Sequence, residues 1–434
     1  MTLLCPSNAQ RASVSKVGTG AAWACALALL GSSALATSAT PEGLAILAAK
    51  ALVCDLAGSG PVECAVVLVK DGLIESVGVQ GELEIPAGYA VHDGGPLWIM
   101  PGMIDLHSHV GGLRGYNDMV FQVNPGLRVS ATVAAGNARL SRPIAAGITT
   151  ILYIPGSGTN IGGQGILMKT HEGTFEEVVV RNPGSLKVAQ GDNPKRWGYG
   201  MQRGLMNHHI RYTMRQGKAY AMRWAAYDEG RGPLPERHIN LDVFRDLYAK
   251  KIAISTHTQY YQVVLATLRI LRRETGFPVF IDHGSFDSWR LGPMAQELGV
   301  AAILGPRQVV YHRTYRNNTD GAVQGSAWGF QKTGALMIGF NTDAPVIPEE
   351  ELPLQSAMGV RYGFDNSRMG AVRGLTIVPA VVAGIGDELG SIEIGKLADL
   401  VLVSGDPSDP RCRVDRVWIA GRLEYDATEG GQRW

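Results

Sequence analysis

The chain has 434 residues, of which 45% are hydrophobic, so it can bury a large core and is too long for one small domain. We expect one large domain and one smaller domain. Lys and Arg together number 40, against 39 Asp and Glu, and the sequence contains no basic run and no basic-aromatic stripe. This balance argues against nucleic acid as a partner. The sequence leaves open whether the protein forms a homo-oligomer.

The first 36 residues differ in composition from the rest of the chain. Arg11 and Lys16 are their only charged residues, and they precede an apolar run at 21–30 and the small residues 34–36, Ala-Leu-Ala. This order predicts a secretory signal peptide over residues 1–36. The apolar run is shorter than the roughly 20 residues of a spanning helix, so we expect no stable membrane anchor. An exported protein, periplasmic or secreted, is the resulting expectation.

Both ends of the mature chain are rich in predicted strands. These are Ala48–Val53, Ala65–Val69 and Leu73–Val77 near the start, and 399–403, 414–420 and 422–425 near the end. Turn residues such as Asp71-Gly72 separate neighbouring strands. Because the two groups flank a long middle region, we predict one composite β-sandwich domain built from residues 40–97 and 390–434.

Two cysteines lie on the arms of a predicted hairpin in this composite domain. Cys54 and Cys64 could be bridged in an oxidising compartment. The alternative, which we favour, is that they are small buried residues. The sequence does not decide between the two.

Residues 98–389 alternate short apolar runs with longer polar or amphipathic stretches. Candidate strands begin near Trp98, Thr149, Gly165, Ser185, Lys251, Pro278, Val300 and Leu336. Eight such units predict a (β/α)8 TIM barrel, in which functional groups sit at the carboxyl ends of the strands. A doubly wound sheet is the structural alternative, but it would not bring the ends of its first and last strands together. The stretch from Asn193 to about Gly232 is read as an irregular insertion.

The first predicted barrel strand ends in two histidines, His107 and His109. Side chains alternate along a strand, so Asp105, His107 and His109 point the same way and the two imidazoles can share a metal ion. Asp105 could accept a hydrogen bond from an imidazole nitrogen, or it could make an unrelated buried hydrogen bond. Taken alone, the pair is equally well read as two ordinary, partly buried histidines.

Three later apolar runs also end in metal-competent side chains, at His257, His283 and Asp343. The interval of 26 residues from His257 to His283 suits one βα unit, and the 60 residues from His283 to Asp343 suit two. The candidate ligands therefore fall on strands one, five, six and eight, whose ends meet at one mouth of the barrel. This convergence favours a metal site over isolated histidines.

Together these motifs resemble the amidohydrolase superfamily, in its imidazolonepropionase-like branch. The likeness rests on the Pro-Gly-Met-Ile-Asp-x-His-x-His run, His257, His283, the Thr342-Asp-Ala-Pro345 run and residues 390–402. It covers nearly the whole mature chain, and it is specific for the superfamily but nearly silent on substrate.

The resemblance implies a hydrolytic metal site with His107, His109 and Asp343 on one divalent ion, zinc by preference and iron or manganese otherwise. Asp343 would act as general base and acid. A carboxylated Lys187 on strand four would bridge to a second ion held by His257 and His283, and Lys169 is the weaker candidate for that bridge. With a single ion, His257 would complete the first site, and His283 would act as a catalytic residue that polarises the substrate.

The implied activity is hydrolysis of amide or other carbon–nitrogen bonds in a small molecule. Deaminases of the superfamily carry a glutamate where this chain has Tyr260, so a dipeptidase or N-acyl amino acid hydrolase is preferred. Lactonase or phosphotriesterase activity ranks next, and a noncatalytic binding protein on the same scaffold is the alternative from another class. Five further side chains could touch substrate, although a structural role is favoured for each: His171, Arg203, Tyr260, Arg307 and His312.

Overall fold

The computed structural model of the protein describes residues 41–190, 193–197, 202–306, 309–311, 323–334 and 337–429. The predicted signal peptide at residues 1–36 lies outside the described residues, as do Arg307 and His312. Within the described part of the chain, no helix is both long and apolar enough to cross a membrane.

One sheet combines strands from both ends of the mature chain. Numbered along the chain, its strands are β1 Gly43–Ala51, β2 Val62–Lys70, β3 Leu73–Val79, β4 Tyr89–Asp93, β5 Trp98–Pro101, β16 Leu400–Val403, β17 Val414–Ile419 and β18 Arg422–Asp426. Their order is β18-β17-β16-β5-β1-β2-β3, and β4 pairs with the start of β1. The strands predicted at both ends thus form one continuous hydrogen-bonded sheet.

Cys54 does not form a bridge to Cys64, because Cys54 is a free thiol buried in the protein. Burial raises the pKa of this thiol to about 12, which makes it a poor nucleophile. Cys54 is therefore one of the small buried residues that the sequence favoured.

The second sheet is the predicted eight-stranded barrel. Its strands are β6 Met103–Ser108, β7 Ile148–Tyr153, β8 Ile161–Lys169, β9 Val179–Ala189, β10 Ala253–Thr258, β11 Val279–His283, β12 Ala302–Leu304 and β15 Ile338–Phe340. Their order runs from β15 through β12 down to β6. The ring is nearly closed where the nitrogen of His109 donates to the carbonyl of Ala344 at 2.8 Å.

The prediction of a regular (β/α)8 barrel is wrong at strand three. Strand β8 runs antiparallel to both of its neighbours, β7 and β9. Only residues 154–160 join β7 to β8, whereas a parallel crossover needs about a dozen residues or more. The close approach of this glycine-rich hairpin to the chain opposite requires glycine at Gly163, where φ is 117° and a Cβ atom would lie 2.7 Å from the carbonyl oxygen of Leu127.

The first predicted barrel strand is two strands in the structure. Trp98–Pro101 pairs with β1 and β16 in the first sheet, and Met103–Ser108 pairs with β7 in the barrel. The chain crosses between the sheets at Gly102, where a Cβ atom would lie 2.2 Å from the hydroxyl oxygen of Thr149. The barrel therefore begins at Met103, five residues after Trp98.

The described helices are α1 Ser141–Ala145, α2 Phe175–Val178, α3 Asn193–Trp197, α4 Arg203–Asp228, α5 Val243–Tyr248, α6 Tyr261–Ala266, α7 Gly292–Glu297, α8 Ser326–Lys332, α9 Leu352–Arg361, α10 Gly370–Arg373 and α11 Ile377–Val382. Helix α6 continues into a wider π turn at Thr267–Arg273. Two short strands, β13 Val309–Tyr311 and β14 Val323–Gly325, pair with each other outside the barrel.

Most of the stretch read as an irregular insertion is the 26-residue helix α4. Its buried side is narrow and includes Met206, Ile210, Met214, Gly217 and Ala221. Glycine at 217 lets the helix approach Phe244 of α5, since a Cβ atom there would lie 2.2 Å from the ring. The buried positions recur every three or four residues, but they include few large apolar side chains amid polar and basic ones, so the helix is only weakly amphipathic in sequence.

Candidate metal centre

The barrel register brings side chains from three neighbouring strands to the same interior surface. Lys187 of β9 pairs with Ser255 of β10, and His257 of β10 pairs with Asp282 of β11. Residues paired in parallel strands share a face, and that face repeats every second residue. Lys187, His257 and Asp282 therefore all point into the barrel.

Four of the predicted ligands converge at the mouth of the barrel. His107, His257, His283 and Asp343 each offer a ligand atom, and these atoms lie within 4.8 Å of one another. The three imidazoles are buried, and the side chain of Asp343 is 13% exposed. The strand ends thus concentrate nitrogen and oxygen donors in one shielded place.

His109 joins this cluster through Asp343. The Nε2 atoms of His107 and His109 each lie 3.3 Å from the same carboxylate oxygen, Oδ1 of Asp343. On its other side, Nδ1 of His109 lies 2.8 Å from the carbonyl oxygen of Ile154. Because a carbonyl only accepts, Nδ1 carries the proton and Nε2 presents a lone pair to the cluster.

A chain of hydrogen bonds also assigns the tautomers of His283 and His257. Nδ1 of His283 donates to the carbonyl of Gly305 at 2.6 Å, and Nε2 of His283 accepts from Nδ1 of His257 at 2.8 Å. The Nε2 atom of His257 is then an unprotonated lone pair. It is buried and has no hydrogen-bond partner among the described residues, which suits it to bind a cation.

Two of the cluster residues adopt left-handed backbone conformations. The φ angle is 72° at His283 and 52° at Asp343, a region that non-glycine residues rarely occupy. Strict alternation along β11 would send His283 to the face opposite Asp282, and the left-handed turn brings its imidazole into the cluster instead. Backbone strain of this kind is typical of functional sites.

Lys187, the lysine that the sequence offered as a bridge, lies beside His107 of this cluster. Its side chain is fully buried, and Nζ lies 3.1 Å from Nε2 of His107. Burial lowers the pKa of this ammonium to about 8, so a neutral amine is accessible near neutral pH.

Lys169, the weaker candidate, is engaged elsewhere. Its Nζ lies 2.6 Å from Oδ2 of Asp399, at the start of the returning segment of the first sheet. A second hydrogen bond joins it to the hydroxyl of Thr150 at 3.2 Å. The structure therefore places Lys169 at the contact between barrel and sheet.

Asp105 supports the cluster through the backbone rather than through an imidazole. Oδ1 accepts from the nitrogen of His107 at 2.8 Å, and Oδ2 accepts from the nitrogen and the hydroxyl of Thr342 at 2.9 and 2.6 Å. Glu349 lies close by, fully buried, and accepts from the hydroxyl of Ser108 at 2.6 Å. Of the two hydrogen-bonding roles considered for Asp105, the structure shows the one that does not involve an imidazole.

Asp282 was not among the residues singled out from the sequence. Its side chain is fully buried, and Oδ2 lies 3.3 Å from Nδ1 of His107. Burial raises the pKa of this carboxyl to about 7, although the positive charge of Lys187 opposes the shift. The pairing of strands five and six, which sets Asp282 level with His257, is the signal that could have identified it.

Aromatic side chains lie in the segments that follow β6, β10 and β11. The ring of Tyr116 stacks on His109 at a centroid distance of 5.4 Å, and Tyr260 stacks on Phe286 at 4.6 Å. The guanidinium carbon of Arg203 lies 5.5 Å from the centre of the Tyr260 ring. Arg203 therefore contacts Tyr260, which lies three residues beyond His257. Nδ1 of His171 lies instead near Arg422 of the first sheet.

An eight-stranded barrel that gathers histidines and an aspartate at one mouth defines the amidohydrolase class of fold. The model of the Amidohydrolase family matches residues 323–423, which include Asp343 and the return to the first sheet. This part of the chain is therefore similar to the amidohydrolase family, a class of hydrolases.

Individual relatives are similar to this chain over most of its length. The chain is 25% identical to amidohydrolase tasK of Hapsidospora irregularis over 83% of its length, but it spans only 40% of that protein. It is 24% identical to imidazolonepropionase of Sphingopyxis alaskensis, over 81% of this chain and 89% of that protein.

Among solved structures, an amidohydrolase from Thermotoga maritima MSB8 resembles this protein closely in fold. The two share 27% identity with a TM-score of 0.76, over 88% of this chain and all of the other. This likeness supports a fold that consists of a TIM-like barrel and a separate sheet.

Proposed function

We propose that this protein is a metal-dependent hydrolase of amide or related carbon–nitrogen bonds. The observation that carries the proposal is the convergence of His107, His257, His283 and Asp343 within 4.8 Å. The match of residues 323–423 to the Amidohydrolase family supports hydrolysis as the reaction. Dipeptides or N-acyl amino acids are the substrates that we propose.

The donor set fits a divalent cation. Imidazole nitrogens and carboxylate oxygens suit zinc, and they also suit iron and manganese. The unpaired, buried Nε2 of His257 gives an independent reason to expect a cation, since a buried polar atom without a partner is costly. We propose zinc first, with iron or manganese as the alternatives.

We propose that His107, His109 and Asp343 hold one ion. His257 and His283 would hold a second ion if Lys187 is carboxylated, and otherwise they would serve the first ion and the substrate. When bound, a divalent ion supplies Lewis acidity, which lowers the pKa of water towards about 7 and polarises a carbonyl.

Asp343 is suited to accept and return the proton that hydrolysis moves. Burial acts to raise its pKa, but His107 and His283 hold that pKa well below its usual value, so the group is a carboxylate at neutral pH. From this position Asp343 would take a proton from the attacking water and pass it to the leaving nitrogen. His283 would orient the substrate carbonyl if it is not a ligand.

The proposed substrate class draws on Arg203, whose guanidinium lies over the ring of Tyr260, three residues after His257. We propose that this cation also binds the carboxylate of a dipeptide or an N-acyl amino acid. Lactones and phosphotriesters lack that carboxylate. Tyr260 also occupies the place where deaminases of the superfamily carry a glutamate, which argues against deamination.

Metal analysis and a hydrolysis screen test the proposal together. Purified protein should contain zinc, manganese or iron, and it should hydrolyse dipeptides or N-acyl amino acids in preference to lactones and phosphotriesters. The Asp343→Asn variant should lose about 100-fold or more in kcat. Protein that neither holds nor responds to these metals would instead be a noncatalytic binding protein, and unchanged activity in Asp343→Asn would exclude the proton-transfer role.

We also propose that the protein is exported and cleaved after Ala36. The support is the sequence of residues 1–36 alone. Amino-terminal sequencing of protein recovered from the periplasm or the medium tests this, with Thr37 as the expected first residue.

A further inference from the structure

We infer that Asp282 is a positioning residue, whose carboxylate holds the Nδ1–H of His107 and so presents Nε2 of His107 to a divalent cation. The inference rests on the proposed metal centre and adds to it a residue that is not one of its ligands.

The two nitrogens of His107 face different partners. Nδ1 lies 3.3 Å from Oδ2 of Asp282, whereas Nε2 lies 3.3 Å from Oδ1 of Asp343 and 3.1 Å from Nζ of Lys187. A neutral imidazole carries one proton, and a nitrogen that binds a metal must be free of it. With Nε2 in the cluster, the proton belongs on Nδ1, where Asp282 is the acceptor.

Asp282 has no other hydrogen-bonding role in the described part of the protein. Neither of its carboxylate oxygens has a hydrogen-bond partner there. Asp105, the other buried aspartate near His107, differs because three donors from His107 and Thr342 satisfy it. A fully buried carboxylate without donors is costly unless nearby positive charge compensates it.

A cation at the cluster would supply that compensation through His107. Metal ligation at one imidazole nitrogen makes the N–H on the other side a stronger donor, and a carboxylate acceptor in turn strengthens the ligand. The 3.3 Å contact is not yet an aligned hydrogen bond, because Nδ1 of His107 also has no hydrogen-bond partner among the described residues. We expect a small rotation of either side chain on metal binding to align it.

Asp282 and His283 are adjacent in the sequence, yet the carboxylate of one and the imidazole of the other both face the metal centre. Asp282 points inward through the regular strand register with His257. His283 points inward because its φ of 72° breaks the alternation. This arrangement explains why both members of the pair contact the cluster although a regular strand would turn them apart.

Metal affinity tests the inference without reference to activity. Full-length protein is stripped of metal, and zinc binding is measured by competition with a chromophoric chelator for wild type, Asp282→Asn, Asp282→Glu and Asp365→Asn. We expect Asp282→Asn to weaken zinc binding by about 10- to 100-fold at unchanged stoichiometry. Asp282→Glu should recover part of the loss, and the exposed control Asp365→Asn should match wild type.

The outcomes separate this inference from the proposed function. If wild type binds no metal, the proposed function itself fails. If wild type binds zinc and a folded Asp282→Asn binds it equally well, only the positioning role fails. A loss of one zinc per chain in Asp282→Asn would make Asp282 a ligand and would also overturn the inference.

A measurement on wild type covers the case in which the variants do not fold. Nitrogen-15 NMR of zinc-loaded protein with labelled histidine, with His107→Gln used to assign its signals, reports which nitrogen of His107 carries the proton. We expect a proton on Nδ1 in a strong hydrogen bond. A proton on Nε2 would refute the inference.

Discussion

Asp105 accepts two hydrogen bonds from Thr342, one from its backbone nitrogen at 2.9 Å and one from its hydroxyl at 2.6 Å. The two residues lie on opposite sides of the seam at which the barrel closes. Among the described residues, β6 and the segment after β15 share a single backbone bridge, Ser108 with Ala344. Asp105 therefore fixes the strand that carries His107 against the turn that carries Asp343.

Replacing Thr342 by Val should weaken this seam. The variant removes a buried hydroxyl that donates to a carboxylate, so the free energy of unfolding should fall by about 1.5–3 kcal/mol. Zinc affinity should fall as well, because Asp343 follows Thr342 directly. Thr428→Val is the matched control, since its hydroxyl also donates to an aspartate but at an exposed site. Equal unfolding midpoints for the two variants in denaturant would show that the seam does not depend on this bond.

The ends of the barrel strands could be predicted from the sequence, because each strand is a short apolar run that stops at a polar residue. His107, His257, His283 and Asp343 all follow such runs, and the intervals between them match whole βα units. Strand-end position is what brings them together, and it needs only the order of the strands. The convergence of these four side chains therefore follows from the sequence even where the details of the barrel do not.

The orientation of strand three and the role of Asp282 could not be predicted in the same way. An apolar run at 161–169 is the same pattern whether β8 runs parallel or antiparallel, and only the short connection before it decides. Asp282 needed the pairing of β10 with β11, because alternation along β11 alone cannot place both Asp282 and His283 inside. The left-handed backbone at His283 has no signature in the sequence, because a histidine in this conformation cannot be told from one in a regular strand by residue type.

Replacing Lys187 by Met should change the number of metal ions per chain. A neutral Lys187 amine can attack carbon dioxide and lose a proton to form a carbamate anion, and a pKa of about 8 makes that amine accessible. We expect two ions per chain in wild type supplied with bicarbonate and one or fewer in the variant. In Lys187→Ala, which does vacate the space, acetate or propionate should restore the second ion by supplying a carboxylate there.

The matched control for this experiment is Lys169→Met, which removes a lysine of the same barrel that pairs with Asp399 instead. Its metal content, measured by inductively coupled plasma mass spectrometry, should equal that of wild type. If Lys187→Met also equals wild type, Lys187 is not a bridge.

Replacing Glu349 by Gln should flatten the pH dependence of stability. Burial, and then the neighbouring Asp105, raise the pKa of Glu349 well above its usual value. As the pH rises above the usual pKa of a glutamate, the unfolded chain releases this proton while the folded protein keeps it, so the free energy of unfolding falls. The variant lacks this proton and should lose less stability over the same range.

Denaturant midpoints of the metal-free protein at several pH values measure this effect. Glu351→Gln, a neighbouring acid outside the buried pair, is the control and should keep the slope of wild type. A slope in Glu349→Gln as steep as that of wild type would show that Glu349 is already ionised in the folded protein.

Replacing Lys169 by Met should destabilise the protein without altering its metal centre. Lys169 and Asp399 form an ion pair of 2.6 Å with side chains only 8% and 3% exposed. Removing the lysine leaves a buried, unpaired carboxylate, which costs about 3–5 kcal/mol. Thermal melting should show this loss. Lys50→Met, at the more exposed pair with Glu63, should change stability by less than about 1 kcal/mol.

The double variant Lys169→Met with Asp399→Leu should regain part of the loss, because it no longer buries a charge. The gain is partial because the nitrogen of Ala420 then lacks its acceptor. A double variant no more stable than the single one would mean that Asp399 matters through Ala420 rather than through Lys169.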